Sequence, residues 1–292
     1  MKRLSWTVFL AAVLGLISIS SQEIKPRTGY IDVGNCQVYY EERGAGSPLV
    51  MIHGGLLDRR MWDDQFTVFA RTQRVIRYDA RGHGLSKAQA GTFSHHEDLK
   101  KLLDGLKVEK AAIMGLSMGG YIAIDFALAY PGRVSALVLA APGLTGYEFE
   151  SEVLKKNSEL LNKAAQENDL KMLIEYFQRS WTDGPSRTPE KVDPAVREKV
   201  RQMAVGTLEI WNDESREVRL EPAAIGRLAE IRVPILAVVG DLDMPDILEI
   251  VGLIEKNIKG ARKEVIPGAA HMVNMERPQE FNRIVLDFLS GL

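Results

Sequence analysis

The feature that most constrains the fold is a glycine–serine–glycine turn between an apolar strand and a helix. Ser117 lies between Gly115 and Gly119 in MGLSMGGYIAI, residues 114–124. The residues before it, KAAIMGLS, predict a short buried strand, and those after it have the apolar pattern of a helix. A sharp turn from strand to helix brings backbone segments close together, so we expect both glycines to lie where a side chain has no room. The serine would then stand at the helix N-terminus, where the helix dipole stabilises developing negative charge.

Apolar strands alternate with helical segments along most of the chain. The segments PLVMI, RVIRY, KAAIMGL, VSALVLA and VPILAVV are nearly continuous apolar runs, each followed by a polar or glycine-rich loop. Strands that are buried on both faces of a parallel sheet have this composition. Near the start, Tyr30–Val33 and Gln37–Arg43 alternate apolar with polar residues and predict an antiparallel hairpin at the sheet edge. We therefore expect an α/β fold with a doubly wound, mostly parallel sheet.

The alternation stops in the middle of the chain, where the pattern is helical and charged. This predicts a core domain formed by residues 21–143 and 229–292, with a helical cap inserted between them over residues 144–228, hereafter the insertion. It contains Trp181 and Trp211, which either line a pocket or pack between helices; the sequence leaves both open.

The N-terminus has the three-part layout of a secretory signal. Lys2 and Arg3 precede an uncharged run, Trp6–Ile19, which small residues follow. The run is shorter than the roughly 20 residues that span a bilayer. These features predict a signal peptide over residues 1–20 and export to the periplasm or the medium, with no stable membrane partner after cleavage. An uncleaved N-terminal membrane anchor is the alternative. A single cysteine, Cys36, allows no internal disulfide.

The charge and the residue spacing give no indication of a nucleic-acid partner, a metal or a cofactor. Lys plus Arg total 37 and Asp plus Glu 39, which gives a net charge of -2. No run of like charge suggests a nucleic-acid partner. No His, Cys or Asp cluster has metal-ligand spacing, so we expect neither a metal nor a cofactor. The oligomeric state cannot be read from the sequence.

A serine nucleophile needs a histidine base and an acid that orients it. In this fold class the three follow in the order serine, acid, histidine. Of the five histidines only His271 follows Ser117, in a loop after the last predicted strand. The acid candidates are Asp241, Asp243 and Asp246, at the end of VPILAVVGDLDMPD.

Among these acids we prefer Asp243, because it lies far enough past the strand to enter the loop at the carboxyl edge of the sheet. Asp241 is expected to cap the turn or face solvent, and Asp246 to cap the following helix. Asp213 and Glu221 in the insertion are remote alternatives.

Backbone N–H groups must stabilise the oxyanion of an acyl-transfer intermediate. One candidate is Met118, which follows the serine. The other is Gly55, in the HGG segment after the third strand, where His53 is expected to brace the loop.

Further histidines are assigned structural roles. Asp79, Arg81 and His83 in YDARGHG are expected to brace a loop beside the site. His95 and His96 are expected to be exposed at a helix N-terminus.

Taken together, these motifs resemble the α/β-hydrolase fold superfamily from about residue 28 to the end. HGG, DARGHGLS, GLSMGG, GDLD and AAHMVNMERPQEFN follow one another in the family's order and spacing. LLDRRMWDDQF and the region around the serine are most similar to the branch of 3-oxoadipate enol-lactonases, small carboxylesterases and cofactor-free haloperoxidase-type perhydrolases. The resemblance implies a serine hydrolase that cleaves a small ester or lactone. C–C bond hydrolysis or perhydrolysis with the same triad, and a non-catalytic ligand receptor, are the alternatives.

Overall fold

A computed structural model describes residues 25–210 and 214–292. The predicted signal peptide, Trp211 and Asp213 lie outside the described residues. The strands are β1 Arg27–Asp32, β2 Gln37–Arg43, β3 Ser47–Ile52, β4 Gln73–Tyr78, β5 Gly91–Phe93, β6 Ala111–Leu116, β7 Val134–Ala140, β8 Ser215–Glu217, β9 Ile235–Gly240 and β10 Arg262–Ile266. The α-helices are α1 Asp63–Phe69, α2 His95–Gly105, α3 Met118–Ala129, α4 Glu152–Gln166, α5 Leu170–Gln178, α6 Pro194–Glu209, α7 Pro245–Asn257, α8 Val273–Glu276 and α9 Pro278–Ser290.

Eight strands form one sheet in the order β1-β2-β4-β3-β6-β7-β9-β10. The hairpin β1–β2 is antiparallel, and β2 pairs antiparallel with β4. From β4 to β10 all neighbours run parallel. The carboxyl ends of the parallel strands therefore meet at one edge, and the loops that follow β3, β6, β9 and β10 are neighbours there. The predicted doubly wound, mostly parallel sheet is confirmed.

Each face of the sheet supports its own apolar core. In β3, Val50 and Ile52 join the core formed with α2, α3 and α7, whereas Leu49 and Met51 join the core formed with α1 and α9. All four residues are fully buried. Because both faces are covered, the strands read as continuous apolar runs rather than as alternating ones.

A small second sheet, which no pattern in the sequence predicts, connects the insertion to the core. Strand β5, after β4, pairs in parallel with β8, which belongs to the insertion. Val218 extends the contact, because its N–H donates to the carbonyl oxygen of Phe93 at 2.7 Å. The two strands are more than 120 residues apart in the chain, a separation that local patterns cannot report.

Helices α4, α5 and α6 lie within the predicted insertion, between β7 and β9. Helix α5 continues into a π-helical turn, Arg179–Asp183, which ends at Gly184 with φ 77°. In residues 25–210 and 214–292, no helix is both long and apolar enough to cross a membrane.

Candidate active site

Ser117 lies on a strained turn between β6 and α3. Its φ of 54° and ψ of -111° fall in a region that non-glycine residues rarely adopt. Such a conformation costs about 1–3 kcal/mol and persists only where its surroundings hold it. Here the Ser117 N–H donates to Ala140 O at 3.1 Å, and Ser117 O accepts from the N–H groups of Gly120 and Gly143, both at 2.9 Å. These bonds fix the backbone of the serine between two strands and a helix.

The flanking glycines are required by close backbone approach, as the sequence predicted. A Cβ on Gly115 would lie 2.0 Å from the carbonyl oxygen of Gly119. A Cβ on Gly119 would lie 2.2 Å from the carbonyl oxygen of Ile52 in the neighbouring strand β3. Any side chain at either position would push α3 away from the sheet edge, so the turn needs glycine at both.

His271 and Asp243 meet above the sheet edge, in the loops after β10 and β9. The Nδ1 atom of His271 is 3.0 Å from Oδ2 of Asp243, and both side chains are buried. Nδ1–H therefore donates to the carboxylate, which leaves Nε2 as the acceptor of the neutral ring. Among the described residues that buried Nε2 has no hydrogen-bond partner. Ser117 and His271 line the same cavity.

The other two acid candidates have different partners. Asp241 is exposed and accepts from the N–H of Gly268 at 2.7 Å, which agrees with its expected turn role. Asp246 lies in the first turn of α7 and accepts from the N–H groups of Glu150 and Ser151 at 2.7 and 3.2 Å. The expectation that Asp246 caps α7 is wrong, because Met244 occupies the N-cap position and Asp246 instead holds the start of α4. Asp243 is thus the carboxylate of the three that contacts the histidine.

The two candidate oxyanion donors also line the cavity. Met118 is the first residue of α3, so its N–H has no carbonyl partner within the helix. The N–H of Gly55 forms no hydrogen bond with any of the described residues. Both N–H groups are therefore available to a carbonyl oxygen of a substrate.

Two neutral histidines brace the loops beneath the cavity. The Nδ1–H of His53 donates to Gly54 O at 2.8 Å, and Nε2 accepts from the N–H of Ala80 at 2.9 Å. Burial lowers the pKa of His53 to about 4. His83 donates from Nδ1 to Arg81 O at 2.9 Å, and burial lowers its pKa to about 3. Since the bonds of His53 occupy both ring nitrogens, its loop-bracing role is confirmed.

The acidic and basic residues of the same loop are also fixed. Asp79 accepts from the N–H groups of Arg59 and Leu85, both at 2.9 Å, and pairs with the Arg59 guanidinium at 2.8 Å. Arg81 donates two hydrogen bonds to Asp98, at 2.8 and 2.9 Å. These contacts agree with the expected structural roles of both residues.

The exposure expected for His95 and His96 is wrong. Both are buried, and His95 lines the cavity. For His95 the cause is the small second sheet: the ring of Phe93 in β5 lies 4.9 Å from the ring of His95, and β5 pairs with β8 of the insertion. No local sequence signal marks this contact, because it depends on the pairing of β5 with the insertion.

Ser117, His271 and the two candidate oxyanion donors line one cavity of about 620 Å³. This volume is in the usual range for small-molecule sites, about 300–1,000 Å³. The insertion contributes an aromatic wall made of Tyr147, Phe149, Phe177 and Trp181. Polar side chains also line the cavity: His95, Tyr121, Glu217 and Arg219. Of the two readings of Trp181, the pocket-lining one is thus the observed one.

Comparisons with known proteins agree with this fold. The family model described as alpha/beta hydrolase fold matches residues 47–278. Carboxylesterase YbfK of Bacillus subtilis is 26% identical over 259 residues, 83% of this chain and 80% of that protein. A 2-hydroxy-6-oxo-6-phenylhexa-2,4-dienoate hydrolase of Burkholderia cepacia is 28% identical over 269 residues, 89% of this chain and 93% of that protein. The crystal structure of the enol-lactonase from Burkholderia xenovorans matches with a TM-score of 0.73 and 26% identity, covering 90% of this chain and 100% of that one.

Proposed function

We propose that this protein hydrolyses a small carboxylic ester or lactone through an acyl-enzyme on Ser117. The chain belongs to the α/β-hydrolase fold family. It is a hydrolytic enzyme. The observation that carries the proposal is the orientation of His271. Its Nδ1 is held by Asp243 at 3.0 Å, and its buried Nε2 has no partner among the described residues, in a cavity that Ser117 also lines.

The chemistry follows the usual two steps of acyl transfer. Nε2 of His271 takes the proton of the Ser117 hydroxyl as Oγ attacks the substrate carbonyl carbon. The N–H groups of Gly55 and Met118 donate to the oxyanion of the tetrahedral intermediate. When this intermediate collapses, His271 returns the proton to the leaving alkoxide. Water, deprotonated by the same nitrogen, then hydrolyses the acyl-enzyme and frees the acid, while Asp243 holds the tautomer of His271.

The shape of the cavity supports a small substrate with an apolar part. The aromatic wall belongs to the insertion, for which we propose the role of a cap over Ser117. An ester or lactone whose acyl part packs against Trp181 would have its carbonyl near His271, because the two rings lie 4.6 Å apart, and Ser117 lines the same cavity.

The test is turnover of nitrophenyl esters from acetate to decanoate by the purified protein and by Ser117→Ala. We expect hydrolysis by the wild type and a loss of several orders of magnitude in Ser117→Ala, since members of a triad act as a unit. The chain-length optimum would report the size of the acyl pocket. Equal turnover by both proteins would refute the proposed nucleophile.

A second candidate, C–C bond hydrolysis of a diketo acid, is favoured by the charged part of the cavity. Arg219 lines it, with its guanidinium carbon 4.5 Å from the centre of the Tyr121 ring. Nε of Arg219 already pairs with Glu217 at 3.4 Å, so a substrate carboxylate would bind through the other N–H groups of the guanidinium. The Burkholderia cepacia relative is named for the hydrolysis of a dienoate. Faster turnover of a 2-hydroxy-6-oxo dienoate than of any nitrophenyl ester would favour this reaction.

We also propose export, on the sequence of residues 1–20 alone. Intact-mass measurement of the protein from the periplasm or the medium tests it. A mass that retains these residues would favour the membrane-anchor alternative.

A further inference from the structure

A part-buried arginine–glutamate pair joins the insertion to the loop that carries His271, hereafter the histidine loop. Nη1 of Arg187 donates to Oε2 of Glu276 at 2.6 Å, and the two side chains are only 11% and 7% exposed. The other oxygen of Glu276, Oε1, accepts from the N–H of Ala270 at 2.9 Å. Ala270 directly precedes His271. One carboxylate therefore bridges a cation of the insertion and the backbone beside the histidine.

The same arginine closes the end of the helical run that carries Trp181. Its Nη2 donates to Thr182 O at 2.9 Å and its Nε to Asp183 O at 2.7 Å. The π-helical turn Arg179–Asp183 continues α5, so these carbonyls belong to a helix C-terminus, where they lack partners within the helix. A cation is favourable at this end of a helix. All three kinds of donor of Arg187 are thus used, two toward the insertion and one toward the histidine loop.

The turn that Arg187 holds rests directly on both triad loops. A Cβ on Gly184 would lie 2.6 Å from the carbonyl oxygen of Leu242 and 3.0 Å from Cβ of Ala270. Leu242 precedes Asp243, as Ala270 precedes His271. The ring of Trp181 contacts the imidazole of His271 at an interplanar angle of 47°, with the ring centres 4.6 Å apart. Through the short segment 181–184, the insertion therefore contacts the loop that carries Asp243, the loop that carries His271, and the ring of His271 itself.

We propose that Arg187 and Glu276 are positioning residues for His271. Neither lines the cavity; they act by fixing the backbone on which the imidazole stands and by seating Trp181 against it. The alignment of Nε2 with Ser117 then depends on the contact between the insertion and the loop that carries His271. If that contact is lost, the histidine base is misaligned. This role rests on the proposed serine-hydrolase function.

The first test compares Arg187→Met with Arg201→Met. Arg201 is an exposed residue of α6 that pairs with Glu198 at 2.7 Å within the insertion, so its loss controls for charge and for general effects on the insertion. We expect Arg187→Met to lower kcat for nitrophenyl esters roughly 10- to 100-fold, the scale of a small misplacement of a catalytic group, with KM nearly unchanged. Arg201→Met should retain wild-type kcat. Glu276→Gln, which keeps an oxygen for the Ala270 N–H, should resemble Arg187→Met, because the guanidinium then lacks its counter-charge.

Chemical rescue separates positioning from simple loss of packing. Methylguanidinium added to Arg187→Ala should restore part of kcat, and Arg187→Lys should retain more activity than Arg187→Met. An unchanged kcat in Arg187→Met and Glu276→Gln would overturn the proposal. So would a change confined to KM.

A readout without any substrate keeps the result independent of the proposed function. Amide hydrogen exchange of the peptide spanning residues 269–272 should speed up in Arg187→Met but not in Arg201→Met, because the Ala270 N–H is bonded to Glu276. Unaltered exchange would overturn the coupling even if esters are hydrolysed. If a fluorophosphonate fails to label Ser117 in the wild type, the proposed function fails, and exchange alone then decides whether Arg187 holds the histidine loop.

Discussion

Gly55 faces Met118 across otherwise open space. A Cβ on Gly55 would have only the Cβ of Met118 within 4 Å, at 4.0 Å. The fold itself therefore does not require glycine at position 55, unlike at Gly115 and Gly119. The free space belongs to the cavity, where the two proposed oxyanion donors would receive a substrate carbonyl.

Gly55→Ala should therefore fold normally and lose activity. A methyl group at this position occupies space that the carbonyl oxygen of the substrate needs, so we expect kcat/KM to fall about tenfold or more, the scale of one lost oxyanion contact. Steady-state kinetics and thermal unfolding of the same preparation measure both quantities. Gly54→Ala is the matched control, because its Cβ would lie 3.1 Å from Cδ2 of Leu116 and should lower stability. Equal kcat/KM in Gly55→Ala and wild type would contradict the assignment of Gly55.

Gly115→Ala should prevent the turn at Ser117 from closing. The added Cβ would lie 2.0 Å from backbone that cannot move without displacing α3. We expect a loss of several kcal/mol of unfolding free energy, at the upper end of single substitutions, measured by urea denaturation. The contrasting variant is Gly252→Ala in the interior of α7, where a Cβ meets nothing within 4 Å. It should gain roughly 0.5–1 kcal/mol from helix propensity. Similar effects of the two substitutions would contradict the steric account.

The sequence was most informative where structure depends on neighbouring residues. The turn at Ser117, the order of strands and helices, and the pairing of Asp243 with His271 follow from motifs whose spacing is set by a strand end and the loop after it. Parallel strands place their carboxyl ends at one edge, so residues far apart in the chain meet there without any further signal.

The contacts that the sequence did not reveal join distant segments through side chains. The burial of His95 depends on the pairing of β5 with β8. Each of these strands has only three residues, too few to show a pattern from which the pairing could be predicted. The Arg187–Glu276 pair connects residues 89 positions apart. Glu276 lies in the AAHMVNMERPQEFN motif, but Arg187 belongs to no recognised motif, so the sequence does not indicate that the two residues pair. Asp246 satisfied a helix-capping pattern and yet binds the backbone before α4, because tertiary contact outweighed the local preference.

Stability should fall as the pH drops from about 6.5 toward 4, because His53 and His83 are buried neutral. Burial lowers their pKa values to about 4 and about 3, below the value of about 6.5 in an unfolded chain. Within this window the unfolded chain binds more protons than the folded one, so the stabilisation is complete above pH 6.5 and is lost as the pH falls. Each residue should cost on the order of 2 kcal/mol between pH 7.5 and pH 5.

Urea unfolding at these two pH values measures the loss. His83→Asn is the informative variant, since its amide nitrogen can replace the Nδ1 donor to Arg81 O and does not titrate. The pH-dependent loss should be about 2 kcal/mol smaller in this variant. Identical losses in wild type and variant would show that His83 does not stay neutral in the folded state.

Asp125 should act in the opposite direction. This carboxyl lies buried in α3, where Oδ2 accepts from the Thr145 hydroxyl at 2.8 Å, and burial raises its pKa to about 6. The pKa of an aspartate in the unfolded chain is about 3.9, so between pH 4 and 6 the folded protein binds more protons. The contribution of Asp125 to stability therefore declines as the pH rises through 6.

Asp125→Asn keeps an oxygen for Thr145 and removes the buried charge. We expect it to raise the unfolding free energy by about 1–2 kcal/mol at pH 8 and to change little at pH 4.5. Asp287→Asn on the exposed face of α9 should change it by less than about 0.5 kcal/mol at both pH values. Since the fold tolerates a charge at position 125 only at a cost, a lower stability of Asp125→Asn at pH 8 would mean that the carboxylate makes a stabilising contact that outweighs its burial.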